Sequence, residues 1–211
     1  MKKRIFDVTV ALAGIIILTP LLISIGIIII LSDKGPALFP QKRVGKGGKL
    51  FSMYKFRSMT FSESAKEGVF EPGNTSRITR VGKSLRRTKL DELPQLINVL
   101  KGEMSIVGPR PEVMKWVSVY PDRWERVLKV KPGITDEASI VYNDEESILA
   151  ESDDPELMYR EIILPRKLDL YEEYVHNNSL QGDIILILKT ILCMAGKTSL
   201  KREGSIMKNY L

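Results

Sequence analysis

Two adjacent carboxylates, Asp91 and Glu92, lie between two groups of basic residues in the stretch 84–112. Lys83, Arg86, Arg87 and Lys89 come just before or within the start of this stretch, and Lys101 and Arg110 follow the acids. Basic residues at this density favour a bound phosphate. A neighbouring Asp and Glu in that setting can act as a nucleophile toward phosphorus and as a ligand of a hard divalent cation such as Mg²⁺.

A helix capping box is the alternative role for this acid pair. Thr88 is followed three residues later by Asp91, a spacing at which the acid would only satisfy a free backbone N–H near the positive end of a helix. Pro94 is tolerated without loss only in the first turn, which predicts an amphipathic helix that starts near Asp91 and runs to Leu100. The residues alone leave both roles open.

Two arginines are the preferred partners of the acids. Pro109 and Pro111 fix the backbone around Arg110, whose planar guanidinium matches phosphate oxygens, so we predict a phosphate clamp there. Arg87 is close enough in sequence to Asp91 to lower the pKa of that carboxyl and keep the nucleophile ionised.

Several further elements are predicted around these residues. Phe39–Val44 and Lys49–Lys55 are expected to pair as a β-hairpin around the turn Gly45–Gly48, with Met104–Val107 as a short buried strand. The region 112–130 carries Trp116, Tyr120 and Trp124 at four-residue spacing, which fits either a core face or an amphipathic helix in the bilayer interface. The acidic region 145–174 is predicted to form solvated helices, and 60–76 a helix fragment and a loop.

The segment Val8–Leu31 is almost continuously apolar and long enough for a membrane helix. Lys2, Lys3 and Arg4 precede it and basic residues follow it, so by the positive-inside rule both ends favour the cytoplasm. Pro20 lies mid-segment and can break the helix where Thr19 or Ser24 satisfies the freed carbonyls, which predicts a segment that enters and leaves by one face. A kinked helix that spans the bilayer is the alternative.

Length and composition set further bounds. The 211 residues predict one compact domain with an appendage, and the net charge of +6 favours an anionic partner. Cys193 is the single cysteine, so no internal disulfide is expected, and His176 is given no catalytic role. Neither a P-loop nor a dinucleotide-binding glycine motif occurs, which disfavours ATP or NAD chemistry.

The stretch 90–112, LDELPQLINVLKGEMSIVGPRPE, closely resembles the signature of the bacterial sugar transferases, the small monotopic phosphoglycosyl transferases. Further blocks at 54–59, 77–82, 131–135 and 174–190 match the family in the expected order. The resemblance implies transfer of a sugar phosphate from a UDP-sugar to undecaprenyl (polyprenyl) phosphate with Mg²⁺. It also implies an α/β fold, mostly helical with a small β-hairpin, and an N-terminal re-entrant membrane helix. A cytoplasmic catalytic domain with interfacial amphipathic helices would lie on the bacterial inner membrane.

The resemblance also assigns roles to residues. It implies Asp91 as the nucleophile, Glu92 as the metal ligand, Lys55 and Arg57 as phosphate or nucleotide contacts, and Thr19–Pro20 as the break in the membrane helix. Asp183 is a functional candidate whose alternative role is to cap the helix that follows it. After Gly133 this chain departs from the sequence that many members carry, so the sugar stays open.

These expectations divide the chain into a membrane anchor (1–35), a catalytic domain (36–196) and a basic tail (197–211). The expected partners are a UDP-sugar, undecaprenyl phosphate and membrane lipids, with no nucleic acid and with the oligomeric state left open. A membrane-tethered basic scaffold that binds anionic lipid or nucleic acid is the rival hypothesis, although it gives no reason for the paired acids. The nearest enzymatic alternative is a metal-dependent phosphohydrolase.

Overall fold

The computed structural model describes residues 1–33, 35–60 and 77–194. The predicted helix fragment and loop at 60–76, apart from Thr60, and the predicted basic tail at 197–211 therefore lie outside the described residues. The chain begins with the apolar helix α1 (Lys2–Ser32), which by length and composition could cross a membrane.

The helix α1 continues through Pro20, so the predicted break at Thr19 and Pro20 is not present in its secondary structure. The Thr19 hydroxyl donates to the Ile15 carbonyl at 2.7 Å, and the Ser24 hydroxyl donates to the Pro20 carbonyl at 2.8 Å. The carbonyl that Pro20 leaves without an i→i−4 donor is that of Ile16, and these two hydroxyls bond other carbonyls. The helix continues across the proline with the loss of that one backbone hydrogen bond.

The rest of the described chain is mostly helical with two small sheets, as predicted. Its elements in chain order are β1 (Leu38–Val44), β2 (Leu50–Phe56), α2 (Arg80–Arg87), α3 (Gln95–Lys101), β3 (Ser105–Val107), α4 (Met114–Val117), α5 (Pro121–Val127), β4 (Gly133–Thr135), α6 (Glu137–Val141), α7 (Glu145–Ala150), α8 (Pro155–Met158), the π-helix Tyr159–Ile163, α9 (Leu164–Asn177) and α10 (Leu180–Met194).

The predicted β-hairpin is confirmed. The strands β1 and β2 are antiparallel, with Leu38 opposite Phe56 and Val44 opposite Leu50. Gly47 and Gly48 have φ values of 67° and 76° in the connection, which is the left-handed region that glycine enters without steric cost.

The second sheet pairs β3 with β4 in parallel, and two glycines let the following loops touch. A Cβ atom on Gly133 would lie 2.1 Å from the Gly108 nitrogen, and one on Gly108 would lie 2.5 Å from the Lys131 carbonyl oxygen. Any side chain at either position would have to displace backbone. This close approach fixes the start of the Pro109–Arg110–Pro111 turn.

The largest hydrophobic cluster lies between 113 and 171, with Trp116 and Trp124 only 1% and 2% exposed. The Trp116 ring contacts the Tyr159 ring edge-on at 4.8 Å. The core role of the tryptophans is therefore confirmed and the interfacial alternative is wrong. The prediction of solvated helices at 145–174 is also wrong for one face, because Tyr159, Leu168 and others there are fully buried.

Both halves of α1 contact the rest of the chain. Ala11 is buried in a cluster with Met53 and Leu96, whereas Ile25 and Ile29 pack with Phe56 and Leu85 in another cluster. Between these contacts the helix is largely exposed, and Ile16 and Ile17 are 65% and 74% exposed. A second apolar face is exposed on α10, formed by Leu180, Ile184, Ile185, Leu188, Ile191, Leu192 and Met194. Exposed apolar surface of this extent is typical of membrane contact.

Candidate active site

The acid pair lies in a 3₁₀ turn, Leu90–Glu92, directly before α3. The predicted helix therefore starts later than expected, because Pro94 occupies the N-cap position and α3 begins at Gln95. Asp91 is only 6% exposed, and its Oδ1 atom has no hydrogen-bond partner among the residues that the structure describes. A buried carboxylate oxygen is normally hydrogen-bonded, so this one has an acceptor position that the described residues leave unmet.

The capping-box alternative is wrong. The Thr88 hydroxyl donates backward to the Ser84 carbonyl at 2.9 Å and to the Leu85 carbonyl at 3.2 Å, so Thr88 closes the end of α2. Lys89 then takes a left-handed conformation with φ 55°, which separates α2 from the turn that carries the acids. Asp91 thus keeps its unpartnered oxygen within the site.

Glu92 joins the two predicted cations. The Lys55 ammonium donates to Glu92 Oε1 at 2.9 Å, and the Arg110 guanidinium donates to both carboxylate oxygens, at 3.0 Å for Oε2. Although burial opposes the shift, Arg110 and Lys55 hold the pKa of Glu92 well below its ordinary value. Glu92 is therefore ionised at neutral pH and holds both cations in place.

The electrostatics of Asp91 differ from the prediction. Burial raises its pKa, as does the neighbouring Glu92, while Lys55, Arg86 and Arg110 act against this rise. The nearby α2 arginine that acts on Asp91 is Arg86, not Arg87 as predicted, because the Arg86 side chain is partly buried whereas Arg87 is exposed on α2. Sequence proximity identified the right helix but the wrong face of it.

Two other predicted residues lie at the contacts between α1 and the catalytic region. The buried Arg57 guanidinium donates to the Asp33 carbonyl and lies 3.8 Å from the Asp33 carboxylate at the end of α1. Asp183 is buried, forms an ion pair with Lys3 and accepts from the Tyr174 hydroxyl at 2.9 Å. Its capping role is wrong, because Ser179 provides the side-chain bond at the start of α10. These contacts join Arg57 and Asp183 to α1.

A second group of buried charges, which the sequence did not reveal, lies behind Arg110. Arg43 donates to Glu112 Oε2 at 3.1 Å, and the Tyr159 hydroxyl donates to Glu112 Oε1 at 2.6 Å. Lys167 lies 3.9 Å from Glu112 and donates to Glu145 at 3.0 Å. Although burial opposes the shift, Arg43 and Lys167 lower the pKa of Glu112. This charged cluster fixes the chain directly after Arg110.

The acids were also predicted to hold Mg²⁺. Among the described residues no group of three His, Cys, Asp or Glu side chains comes together as a metal site. Glu92 already accepts from two cations on Oε1 and from one on Oε2, whereas Asp91 Oδ1 has no partner among the described residues. Protein-bound Mg²⁺ often takes one or two carboxylates together with substrate phosphates. The residues therefore fit a metal ion that arrives with a diphosphate, and they do not form a closed resident site.

Comparison with known proteins identifies the family to which this chain belongs. The sequence profile of the family described as bacterial sugar transferase matches residues 1–197. The chain belongs to the bacterial sugar transferase family. Its acid pair and its Pro-Arg-Pro turn lie inside the matched region.

Individual relatives in the bacterial sugar transferase family carry informative names. The chain is 37% identical to the UDP-N-acetylgalactosamine-undecaprenyl-phosphate N-acetylgalactosaminephosphotransferase of Aeromonas hydrophila, over 90% of this chain and 42% of the relative. It is 39% identical to the UDP-glucose:undecaprenyl-phosphate glucose-1-phosphate transferase of Escherichia coli, over 90% of this chain and 39% of the relative. The chain thus spans about two fifths of the length of these relatives.

A shorter member of the same family matches almost end to end. The chain is 34% identical to the uncharacterised sugar transferase EpsL of Bacillus subtilis, over 99% of this chain and 92% of the relative. The apolar helix α1, the hairpin and the acid pair all lie within the aligned length. The sequence similarity therefore extends along nearly the whole of a bacterial sugar transferase of similar size.

Proposed function

We propose that this chain transfers a sugar 1-phosphate from a UDP-sugar to undecaprenyl phosphate, giving undecaprenyl-diphosphate-sugar and UMP. One observation carries the proposal: the buried, unpartnered Oδ1 of Asp91 lies in the field of Lys55, Arg86 and Arg110. A nucleophile toward a phosphodiester needs an oxygen that no other donor holds and cations that offset the phosphate charge. The relatives named as UDP-sugar or undecaprenyl-phosphate phosphotransferases support the same substrates.

The reaction proceeds in two displacements at the same phosphorus. An Asp91 carboxylate oxygen attacks the β-phosphorus of the UDP-sugar, the bond from that phosphorus to the bridging oxygen breaks, and UMP leaves. A phosphate oxygen of undecaprenyl phosphate then attacks the aspartyl phosphosugar and releases the Asp91 carboxylate. Both displacements use one phosphate-binding site, where Arg110 and Lys55 contact the phosphoryl oxygens and Glu92 keeps these two cations in register.

Mg²⁺ is part of the proposal as an ion that binds together with the diphosphate. Asp91 and Glu92 are the carboxylates that would hold it, together with oxygens of the diphosphate. When bound, the ion supplies positive charge that offsets the negative charge of the diphosphate.

Two other functions explain less. A membrane-tethered scaffold that binds anionic lipid or nucleic acid would use the exposed basic residues of α2, but it leaves the desolvation of Asp91 without a purpose. A metal-dependent phosphohydrolase would use the same acids with water in place of the lipid phosphate. The apolar surfaces of α1 and α10 favour the lipid acceptor, because they would bring the site to the bilayer.

We expect UMP release from a UDP-sugar to depend on undecaprenyl phosphate. The purified chain in detergent or lipid discs is offered a panel of UDP-sugars with and without the lipid phosphate, and UMP and the lipid product are quantified. Multiple turnovers with the lipid and at most one equivalent of UMP without it are the expected result. Equal turnover in both arms would identify a phosphohydrolase, and no UMP with any sugar would contradict the proposal.

The membrane part of the proposal is a re-entrant α1, with both of its ends and the catalytic domain on the cytoplasmic face of the bacterial inner membrane. Ala11 and Ile25 are both buried against the catalytic region. About 14 residues separate them, which is about 21 Å of helix at 1.5 Å per residue. A hydrocarbon core is about 30 Å thick, so this length is too short to cross between two contacts with one domain. A bend at Pro20 within the continuous helix would let both halves dip into one leaflet.

We expect the two ends of α1 to be labelled from the same side. Single cysteines replace the exposed Lys2 and Lys46 in a Cys193→Ser background, and intact cells are treated with a membrane-impermeant thiol reagent. Both positions should be protected until the cells are permeabilised. Labelling of position 2 in intact cells, with position 46 protected, would show that α1 spans the bilayer. Pro20→Ala, which restores the missing backbone donor, should shift the protein toward that spanning pattern.

A further inference from the structure

The first two turns of α1 carry polar side chains that contact the catalytic region directly. Lys3, Arg4 and Asp7 begin a helix that is otherwise apolar, and Asp7 is only 3% exposed. A carboxylate buried this deeply needs hydrogen-bond donors of its own. Apart from the Lys3–Asp183 ion pair, the partners of these side chains belong to α3 and β3, the two elements that flank the active site.

Arg4 contacts the end of α3. Its Nη1 atom donates to the Val99 carbonyl at 2.6 Å, and its Nη2 atom donates to the Leu100 carbonyl at 2.9 Å. These carbonyls belong to the last turn of a helix, where a cation is favoured; the Val99 carbonyl also accepts from the N–H of the C-cap residue Gly102 at 3.0 Å. Arg4 therefore fixes the end of the helix whose other end follows the acid pair.

Asp7 contacts β3. Its Oδ1 atom accepts from the Ser105 hydroxyl at 2.9 Å and from the Ile106 N–H at 3.1 Å. Lys3 adds a bond to the Val107 carbonyl at 3.1 Å, on the last residue of that strand. Through these bonds α1 holds the strand that leads into Gly108 and the Arg110 turn.

The helix α3 and the strand β3, which α1 contacts, form one unit, and the active site lies at one end of it. Two residues separate Glu92 from the start of α3, and two separate Arg110 from the end of β3. The Glu92–Arg110 ion pair therefore joins α3 to β3 on the side where the substrate would bind. Gly102 connects α3 back toward β3 on the opposite side, beside Arg4. The distance between Asp91 and Arg110 is therefore set at both ends of this unit.

We propose that Asp7 and Arg4 are positioning residues for the transfer reaction, so that the start of the membrane helix is a working part of the active site and not only an anchor. The inference rests on the proposed function, because it concerns how Arg110 is placed relative to Asp91. Loss of the Asp7 bonds leaves the Ser105 hydroxyl and the Ile106 N–H buried without an acceptor, and β3 shifts to recover one. A displacement of about 1 Å at a reacting group can lower a rate by about 10²-fold.

Asp7→Leu tests this directly, with Asp7→Asn as the conservative variant. Asparagine keeps an Oδ1 acceptor for both donors, so kcat should remain within about threefold of the wild type, whereas leucine should lower kcat at least tenfold. The KM for the UDP-sugar should change less than threefold in both variants, because the substitutions alter the position of Arg110 relative to Asp91 and not the binding of the UDP-sugar. Thr9→Leu, on the exposed side of the same helix, is the matched control and should keep wild-type kcat.

Membrane association and folding are measured in the same preparations. Flotation with lipid and the thermal midpoint separate positioning from anchoring, and rates are expressed per folded, membrane-bound protein. If Asp7→Leu does not fold, Arg4→Met replaces it, because Arg4 is half-exposed and its loss removes only the α3 contacts. Wild-type kcat in the folded leucine or methionine variant would overturn the inference. Absence of UMP release by the wild type would instead overturn the proposed function.

Discussion

Asp91→Asn is expected to abolish turnover, with a loss on the order of 10³-fold or more, while the fold and membrane association remain intact. The amide keeps the shape of the side chain but is not a nucleophile toward phosphorus, and removal of a nucleophile is among the largest single effects on an enzyme. The fold should tolerate the change because Oδ1 of Asp91 has no hydrogen bond to lose within the described residues. Burial also raises the pKa of this carboxyl, so the ionised form is disfavoured in the folded state and a neutral amide relieves that cost.

Intact-mass analysis provides the decisive measurement for Asp91. Wild-type protein incubated with the UDP-sugar alone should gain the mass of a phosphosugar, and peptide mapping should locate it on Asp91. The Asn variant should show no adduct and an unchanged or higher thermal midpoint. Asp122→Asn, at an exposed acid of α5, is the control and should match the wild type. Undiminished UMP release by the Asp91 variant would contradict the assignment of the nucleophile.

Glu92→Gln is expected to lower kcat/KM about 10²-fold, which is the range found when one electrostatic group is removed from an active site. The amide offers a single acceptor oxygen, whereas the carboxylate now holds Lys55 and both nitrogens of Arg110. Without the negative charge, two neighbouring cations repel each other and leave their positions around Asp91. An amide is also a poorer ligand than a carboxylate for Mg²⁺.

A magnesium titration separates these two contributions of Glu92. Excess EDTA should stop wild-type UMP release, and added Mg²⁺ should restore it. If Glu92 ligates the ion, the variant needs a higher Mg²⁺ concentration for half-maximal rate. If Glu92 only positions Lys55 and Arg110, that concentration is unchanged and kcat is lower. Glu103→Gln, an acid outside the ion pairs around Asp91, is the control. Wild-type activity in EDTA would show that the reaction does not need the metal, and a fully active Gln variant would refute both roles.

Local sequence patterns predicted the elements that carry the site but not the contacts between them. The hairpin followed from glycine turn chemistry, and Pro94 placed the helix after Asp91 to within four residues. Arg110 pairs with Glu92 because β3 runs back beside α3 and brings the two residues together. No local sequence pattern predicts that arrangement. The choice of Arg86 over Arg87 depends on the direction in which α2 packs, and one residue on a helix is a rotation of about 100°.

The contacts of the tryptophans and of the polar start of α1 also could not be predicted from local sequence. Trp116 and Trp124 at helical spacing fit a core and a bilayer interface equally well, because both environments accept an amphipathic aromatic side chain. Only the position of Tyr159, more than thirty residues later, decides for the core. Lys3, Arg4 and Asp7 have the composition of a cytoplasmic flank, and their partners lie about a hundred residues away in the chain.

The buried charges around Glu112 determine where two bacterial sugar transferases can be recombined. Arg43 comes from the hairpin, Glu112 from the turn after Arg110, and Lys167 from α9, so the cluster joins three distant parts of the chain. A chimera whose crossover lies between 113 and 158 takes Glu112 from one parent and its Tyr159 and Lys167 partners from the other. A mismatch there leaves a buried charge without a counterion, which costs about 3–5 kcal/mol of folding free energy. An exchange of segments between family members should therefore transplant positions 43, 112, 145, 159 and 167 as a set.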